Sequence, residues 1–189
     1  MKTEVKNESI VAYVLRLALT LLAITAVVAA LLAAVNSITA PVIAELNEAK
    51  TQQAIEMVLP GGGKEIDAPD MAAGVPVAKV YKGETGYAVQ VAPSGFDGAI
   101  DMMVGIDNEG KVVAISIIKH TETAGLGAVA AAKTSAGEAF RAQFAGQSGS
   151  VGTAKRGTGT LDAITGATIT SEAVCTGVNA ALAVVAELG

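Results

Sequence analysis

The chain has 189 residues, 51% hydrophobic but only 3% aromatic, with no Trp and a formal net charge of −5; this length suits one membrane anchor and one compact domain. Its single cysteine and single histidine, Cys175 and His120, are too few for a disulfide framework or a cysteine-ligated zinc or iron–sulfur centre. No metal site is expected, and any redox cofactor is an organic one.

Leu17 to Val35 contains no charged residue, Gly or Pro. That apolar run exceeds the core of a cleaved signal peptide and predicts a transmembrane helix over residues 10–36. Lys2, Lys6 and Arg16 precede or open the span, whereas residues 36–49 carry no Lys or Arg. The asymmetry predicts a cytoplasmic N-terminus, residues 1–9, with everything after the span outside the cytoplasm. Ten of the 13 basic and 16 of the 18 acidic residues follow the span, a net charge of −6, and the longest basic tract there is Lys155–Arg156. Nucleic acid is therefore not an expected partner.

Ala44 to Leu59 has helix-favouring polar composition and stops at Pro60 and three glycines, predicting a helical stalk and linker over residues 37–70. "GGGKE" lacks the Gly spacing and the Ser or Thr of a phosphate loop and reads as a turn. From Val75 the pattern alternates: "VAKVYKG", "GYAVQVAPSGF", "AIDMMVGID" and "KVVAISIIKH" read as antiparallel strands, with "DNEGK" a hairpin loop. A helix is predicted from Ala128 to Phe144, with Phe140 and Phe144 four apart, and another from Ser171 to Leu188. The latter's apolar face is Val174, Val178, Ala181, Leu182 and Val185, with Cys175 buried on it. Residues 71–189 thus read as one α+β domain, an antiparallel sheet flanked by helices.

Three segments are candidates for chemistry. "GLGAVA", Gly125 to Ala130, fits a dinucleotide fingerprint but has neither the later acidic residue nor a βαβ context. His120 with Glu122 could form an acid/base pair, although no nucleophile accompanies it and ordinary polar contacts at a strand end are the commoner use. "DAITGATITSEAV", Asp162 to Val174, sets Thr168, Thr170 and Ser171 at the start of the last helix, where free N–H groups and the dipole favour an anion. Simple helix capping by Thr170 or Ser171 explains the same residues equally well.

Asp162-Ala163-Ile164-Thr165-Gly166-Ala167-Thr168 resembles the D-x-x-[S/T]-G-A-T flavinylation motif of the membrane-anchored FMN-binding domain family. That family includes the G subunit of the Rnf-type ion-translocating ferredoxin:NAD oxidoreductase and the C subunit of the sodium-translocating NADH:quinone reductase. "SGFDGAIDMMVGIDNEGKVVAISIIKHTETAGLG" and "ITGATITSEAVCTGVNAAL" are similar to two further family blocks, and Asn36 with "TAP" follows the anchor as in the family. Ala124 stands where the family usually has Pro.

The resemblance implies FMN joined by a phosphoester to Thr168, installed from FAD by a flavin transferase, with Thr170 the fallback attachment site. It places Asp162 in the transferase recognition motif, with Gly166 and Ala167 in the turn. Thr165 and Thr170 then bond the turn or the phosphate, while Glu122, Thr123, Gly125 and Leu126 form the opposite wall, Gly125 allowing close backbone approach. No catalytic residue is implied. The implied function is electron relay within a membrane-bound ion-translocating ferredoxin:NAD oxidoreductase, the other integral membrane subunits being its partners. The shortness of the chain favours the Rnf-type complex over the quinone reductase. A stand-alone extracytoplasmic flavoprotein and a non-redox anchored assembly module are the readings from other classes.

Overall fold

A computed structural model of the chain describes residues 10–67, 69–154, 157 and 159–188. Lys2 and Lys6, on which the orientation partly rests, and the Lys155–Arg156 tract lie outside the described residues. Helix α1 runs unbroken from Ile10 to Val58, 49 residues, through the predicted anchor and on into the predicted helical stalk. Pro41 lies inside it. A proline there removes one backbone bond, a loss the long helix-favouring stretches on both sides absorb. The helix is long and apolar enough to cross a membrane.

A compact unit extends from Asn47 to Gly189, reaching back past the predicted boundary at residue 71. Its strands are β1 (Lys64–Ile66), β2 (Met71–Ala72), β3 (Val75–Lys82), β4 (Gly86–Val91), β5 (Asp101–Asp107) and β6 (Val112–Lys119). They pair antiparallel in the order β1-β3-β4-β5-β6, with β2 also on β3. The "DNEGK" loop closes β5 onto β6. Asp107 Oδ1 accepts from the amides of Glu109 (3.0 Å) and Lys111 (2.8 Å), and Gly110 takes a positive φ of 76°.

β4 and β5 are buried on both faces because two layers cover them. On one face Tyr87, Val89, Val91, Met102, Val104 and Ile106 share a core with the last helix, α3 (Thr168–Leu188). On the other, Ala88 and Met103 meet Ala54, Ile55, Val58 and Leu59. The end of the predicted stalk is therefore core. Gly105 makes this possible: a Cβ there would overlap the carbonyl oxygen of Val58 and come 2.8 Å from its Cβ.

All five residues of the predicted α3 face are buried, and so are Ala173, Cys175, Gly177, Ala180 and Val184. α3 is also apolar enough to cross a membrane, but most of it lies inside the domain, so it is a core helix. Where one helix is predicted over 128–144, the chain forms a short 3-10 helix (Gly127–Ala131) and then α2 (Ser135–Ala142). Thr134 makes the break, its hydroxyl accepting from the Gly137 amide at 3.3 Å as the N-cap of α2. Phe144 falls beyond α2, yet its ring meets Phe140 edge-on at 5.4 Å.

Candidate functional site

Three segments converge at the start of α3. They are the turn Ser94–Ala99 between β4 and β5, the loop after β6 from Glu122 to Gly127, and the turn Gly166–Ala167 leading into Thr168. Between them lies an open cavity of about 330 Å³ lined by Phe96, Glu122, Thr123, Leu126, Gly127 and residues 166–170.

The backbone at the helix start is set by the residues just before it. Gly166 adopts φ 78°, a conformation in which a side chain is strained, and a Cβ there would press Leu126 Cδ2 at 3.0 Å. The Ala167 amide donates to the Ile164 carbonyl at 3.0 Å, closing the turn. Ser171, fully buried, accepts from the Ile164 amide (3.0 Å) and donates to the Ala167 carbonyl (2.9 Å). Because α3 begins at Thr168, the preceding residue is Ala167, which has no side-chain oxygen to cap the helix. Among the described residues, the amides of Thr168, Ile169 and Thr170 have no protein acceptor. The Thr168 hydroxyl is accessible and likewise has no protein partner.

Thr170 differs. Only 2% exposed, its hydroxyl donates to Glu122 Oε2 at 2.5 Å. Glu122, also buried, accepts at Oε1 from the amides of Phe96 (2.8 Å) and Asp97 (3.1 Å). One carboxylate thus ties the β4–β5 turn to α3, its charge met by three donors. Gly127 lets the loop close over this pair, since a Cβ there would strike Glu122 Oε2 and come 2.6 Å from Thr170 Oγ1. Thr170 is a brace whose hydroxyl is occupied, which counts against it as the fallback attachment site and as a cap.

No hydrogen bond joins His120 to Glu122. The His120 Nδ1 atom is buried without a partner among the described residues, and His120 does not line the cavity. The "GLGAVA" glycines form a turn into a 3-10 helix rather than a strand-to-helix phosphate loop. Burial, then the nearby Glu172 charge, pushes the Cys175 thiol up to about 12, so it is no nucleophile at neutral pH.

Of the residues the sequence pointed to, Thr168, Gly166, Ala167, Thr170, Glu122, Thr123 and Leu126 meet in this cavity. Asp162, Thr165 and Gly125 instead line a neighbouring groove, and a Cβ added at Gly125 would meet nothing within 4 Å, unlike one at Gly127. Sequence reading missed Phe96 and Ile169. Phe96 is 69% exposed although its backbone is fixed by Glu122. With Ile169 and Leu126, also exposed, it adds apolar side chains to the lining of the cavity. The signal was the Gly-Phe pair inside "SGFDG", which contributes an aromatic to a turn where none is needed for the core.

Residues 95–183 match the FMN-binding domain family, an interval containing every residue of the cavity. The chain is 35% identical to the G subunit of the Na(+)-translocating ferredoxin:NAD(+) oxidoreductase complex of Acetobacterium woodii, over 97% of each chain. It is 30% identical to the G subunit of the ion-translocating oxidoreductase complex of Methanosarcina acetivorans, over 86% of this chain and 89% of that one. With the G subunit of the proton-translocating ferredoxin:NAD(+) oxidoreductase complex of Clostridium ljungdahlii it shares 40% identity over 51% of each.

Proposed function

The chain belongs to the family of G subunits of ion-translocating ferredoxin:NAD oxidoreductase complexes, and from that premise we infer that it is a membrane-anchored electron relay holding FMN covalently on Thr168. One observation carries this reading. A threonine hydroxyl and three helix-start amides, all without a partner among the described residues, stand at a cavity that Phe96, Leu126 and Ile169 also line.

The lining of the cavity offers groups suited to both parts of FMN. The amides of residues 168–170 and the positive end of the α3 dipole stabilise a phosphodiester charge. Phe96, Leu126 and Ile169 offer apolar contact to the ring system, and a cavity of about 330 Å³ covers only part of it. Glu122 and Thr170 keep the walls in register rather than touching the phosphate. When bound, FMN supplies one- and two-electron transfer, and the protein sets its position and surroundings.

Attachment is a group transfer. Thr168 Oγ forms a bond to the FMN phosphorus of FAD, the pyrophosphate P–O bond breaks, AMP leaves, and the hydroxyl proton passes to a base of a flavin transferase. The partners are that transferase during maturation and afterwards the integral membrane subunits of the complex. α1 is the single membrane span, with a cytoplasmic N-terminus and the FMN domain outside. Sodium and proton appear in different relatives' names, and the relay role requires neither in particular.

The test is the intact mass of the full chain after co-expression with a flavin transferase. Wild type and Thr170→Val are expected to gain an FMN-sized increment and Thr168→Ala to gain none. An unmodified wild type beside a modified control substrate, or an increment retained in Thr168→Ala, would sink the reading.

A further inference from the structure

The motif turn is held from outside by a residue that no motif includes. α2 presents Ala136, Ala139, Phe140 and Gln143, one helical stripe ending at the C-cap, to the groove that also holds Asp162 and Thr165. α2 is anchored by further contacts besides those to Asp162. Phe140 is buried against Phe144, and Arg141 Nη1 donates to the carbonyls of Ala130 (2.6 Å) and Ala132 (3.0 Å).

From this fixed position Gln143 bonds Asp162 twice. The Asp162 amide donates to Gln143 Oε1 at 2.7 Å, and Gln143 Nε2 donates to the Asp162 carbonyl at 3.3 Å. One side chain therefore satisfies both backbone groups of the first motif residue. The Asp162 carboxylate is left exposed and without a partner among the described residues. At the far end of the turn Ser171 holds Ile164 and Ala167. A surface turn tied at both ends, whose charged group has no partner among the described residues, is arranged for something outside the chain.

We propose that Gln143 is a positioning residue for FMN attachment: by clamping the Asp162 backbone, it holds the free carboxylate and the Thr168 hydroxyl in one preformed arrangement for the attaching enzyme. The inference rests on the reading that Thr168 receives FMN. Without the clamp, the turn must be ordered at each encounter, an entropic cost that falls on binding rather than on the chemical step.

The experiment uses the full chain in detergent with purified flavin transferase and FAD, following the mass increment over time. Gln143→Met keeps the side-chain length and removes both bonds. Its KM as acceptor is expected to rise about three- to tenfold, the equivalent of about one neutral hydrogen bond, with kcat little changed. Hydrogen exchange before FAD is added should show Asp162 amide protection lost while α3 stays protected. Val184→Ala, a core truncation in α3, is the control for general destabilisation and is expected to keep the wild-type KM.

A wild-type KM for Gln143→Met, an equal rise in Val184→Ala, or undiminished Asp162 protection overturns the proposal while leaving Thr168 attachment intact. Failure of wild type to be modified removes the attachment reading itself, and this role with it.

Discussion

The Glu122–Thr170 brace makes the sharpest quantitative demand on the structure. Both side chains are buried, at 7% and 2% exposure, and 48 positions separate them in sequence. Thr170→Val preserves shape but leaves Glu122 Oε2 facing a methyl group. Glu122→Ala frees two amides and one hydroxyl together. A hydrogen bond to a charged group contributes about 1.5–3 kcal/mol net, so Thr170→Val should cost about 2 kcal/mol. Glu122→Ala should cost about 3–4 kcal/mol, less than the sum of its three bonds, because the amides of Phe96 and Asp97 gain access to water. In a chain of this size these losses correspond to Tm decreases of about 4–8 °C and 6–16 °C. The assay is thermal unfolding of the full chain in detergent, followed by circular dichroism for wild type, both single variants and the double variant. The double-mutant cycle should give a coupling of at least about 1 kcal/mol. Additivity of the two changes within about 0.3 kcal/mol would refute the brace, leaving two independent polar residues that happen to be close.

Two further outcomes follow from the core. Cys175 should resist thiol reagents at neutral pH in the folded chain and react once it is denatured; rapid native labelling would contradict its burial. Because folding raises its pKa from 9.0 to about 12, the fold favours the neutral thiol. That preference is fully present below pH 9 and is lost as pH rises from 9 towards 12, so Cys175→Ala should flatten the alkaline fall in stability. Gly105→Ala should destabilise by about 1–3 kcal/mol, since the end of α1 has to lift off the sheet. The measurement is thermal unfolding of the full chain, and an unchanged Tm would show that the contact with Val58 tolerates a methyl group.

The relation between sequence and structure differs element by element. The strands were legible because β-branched and aromatic residues alternate within short runs bounded by glycine, and each run's pairing partner is its neighbour in the chain. α3 was legible in position but not in environment. Its apolar residues predict one buried face, whereas packing buries most of the circumference. The break before α2 escaped periodicity because Ala-rich "AVAAAK" suits a helix of any kind, and the Thr134 cap decides where the second one begins.

The site divides in the same way. Gly166, Ala167 and Thr168 are contiguous, so a local motif could carry them, and the open amides follow from any helix that starts there. Gly127, Ile169 and Gln143 have no local signature, and the Gly-Phe pair at Phe96 does not say what its turn meets. Their roles depend on contacts across intervals such as the 26 positions from Phe96 to Glu122 and the 19 from Gln143 to Asp162.

The sequence by itself determined the apolar span, the α+β pattern and the turn that offers Thr168, because each depends on interactions within a few residues. Tertiary structure alone decided that the end of α1 is core, that Thr170 is a brace, and that Asp162 and Thr168 open onto different concavities. Those outcomes rest on which distant side chains reach one another, and on where a missing Cβ lets two backbones approach.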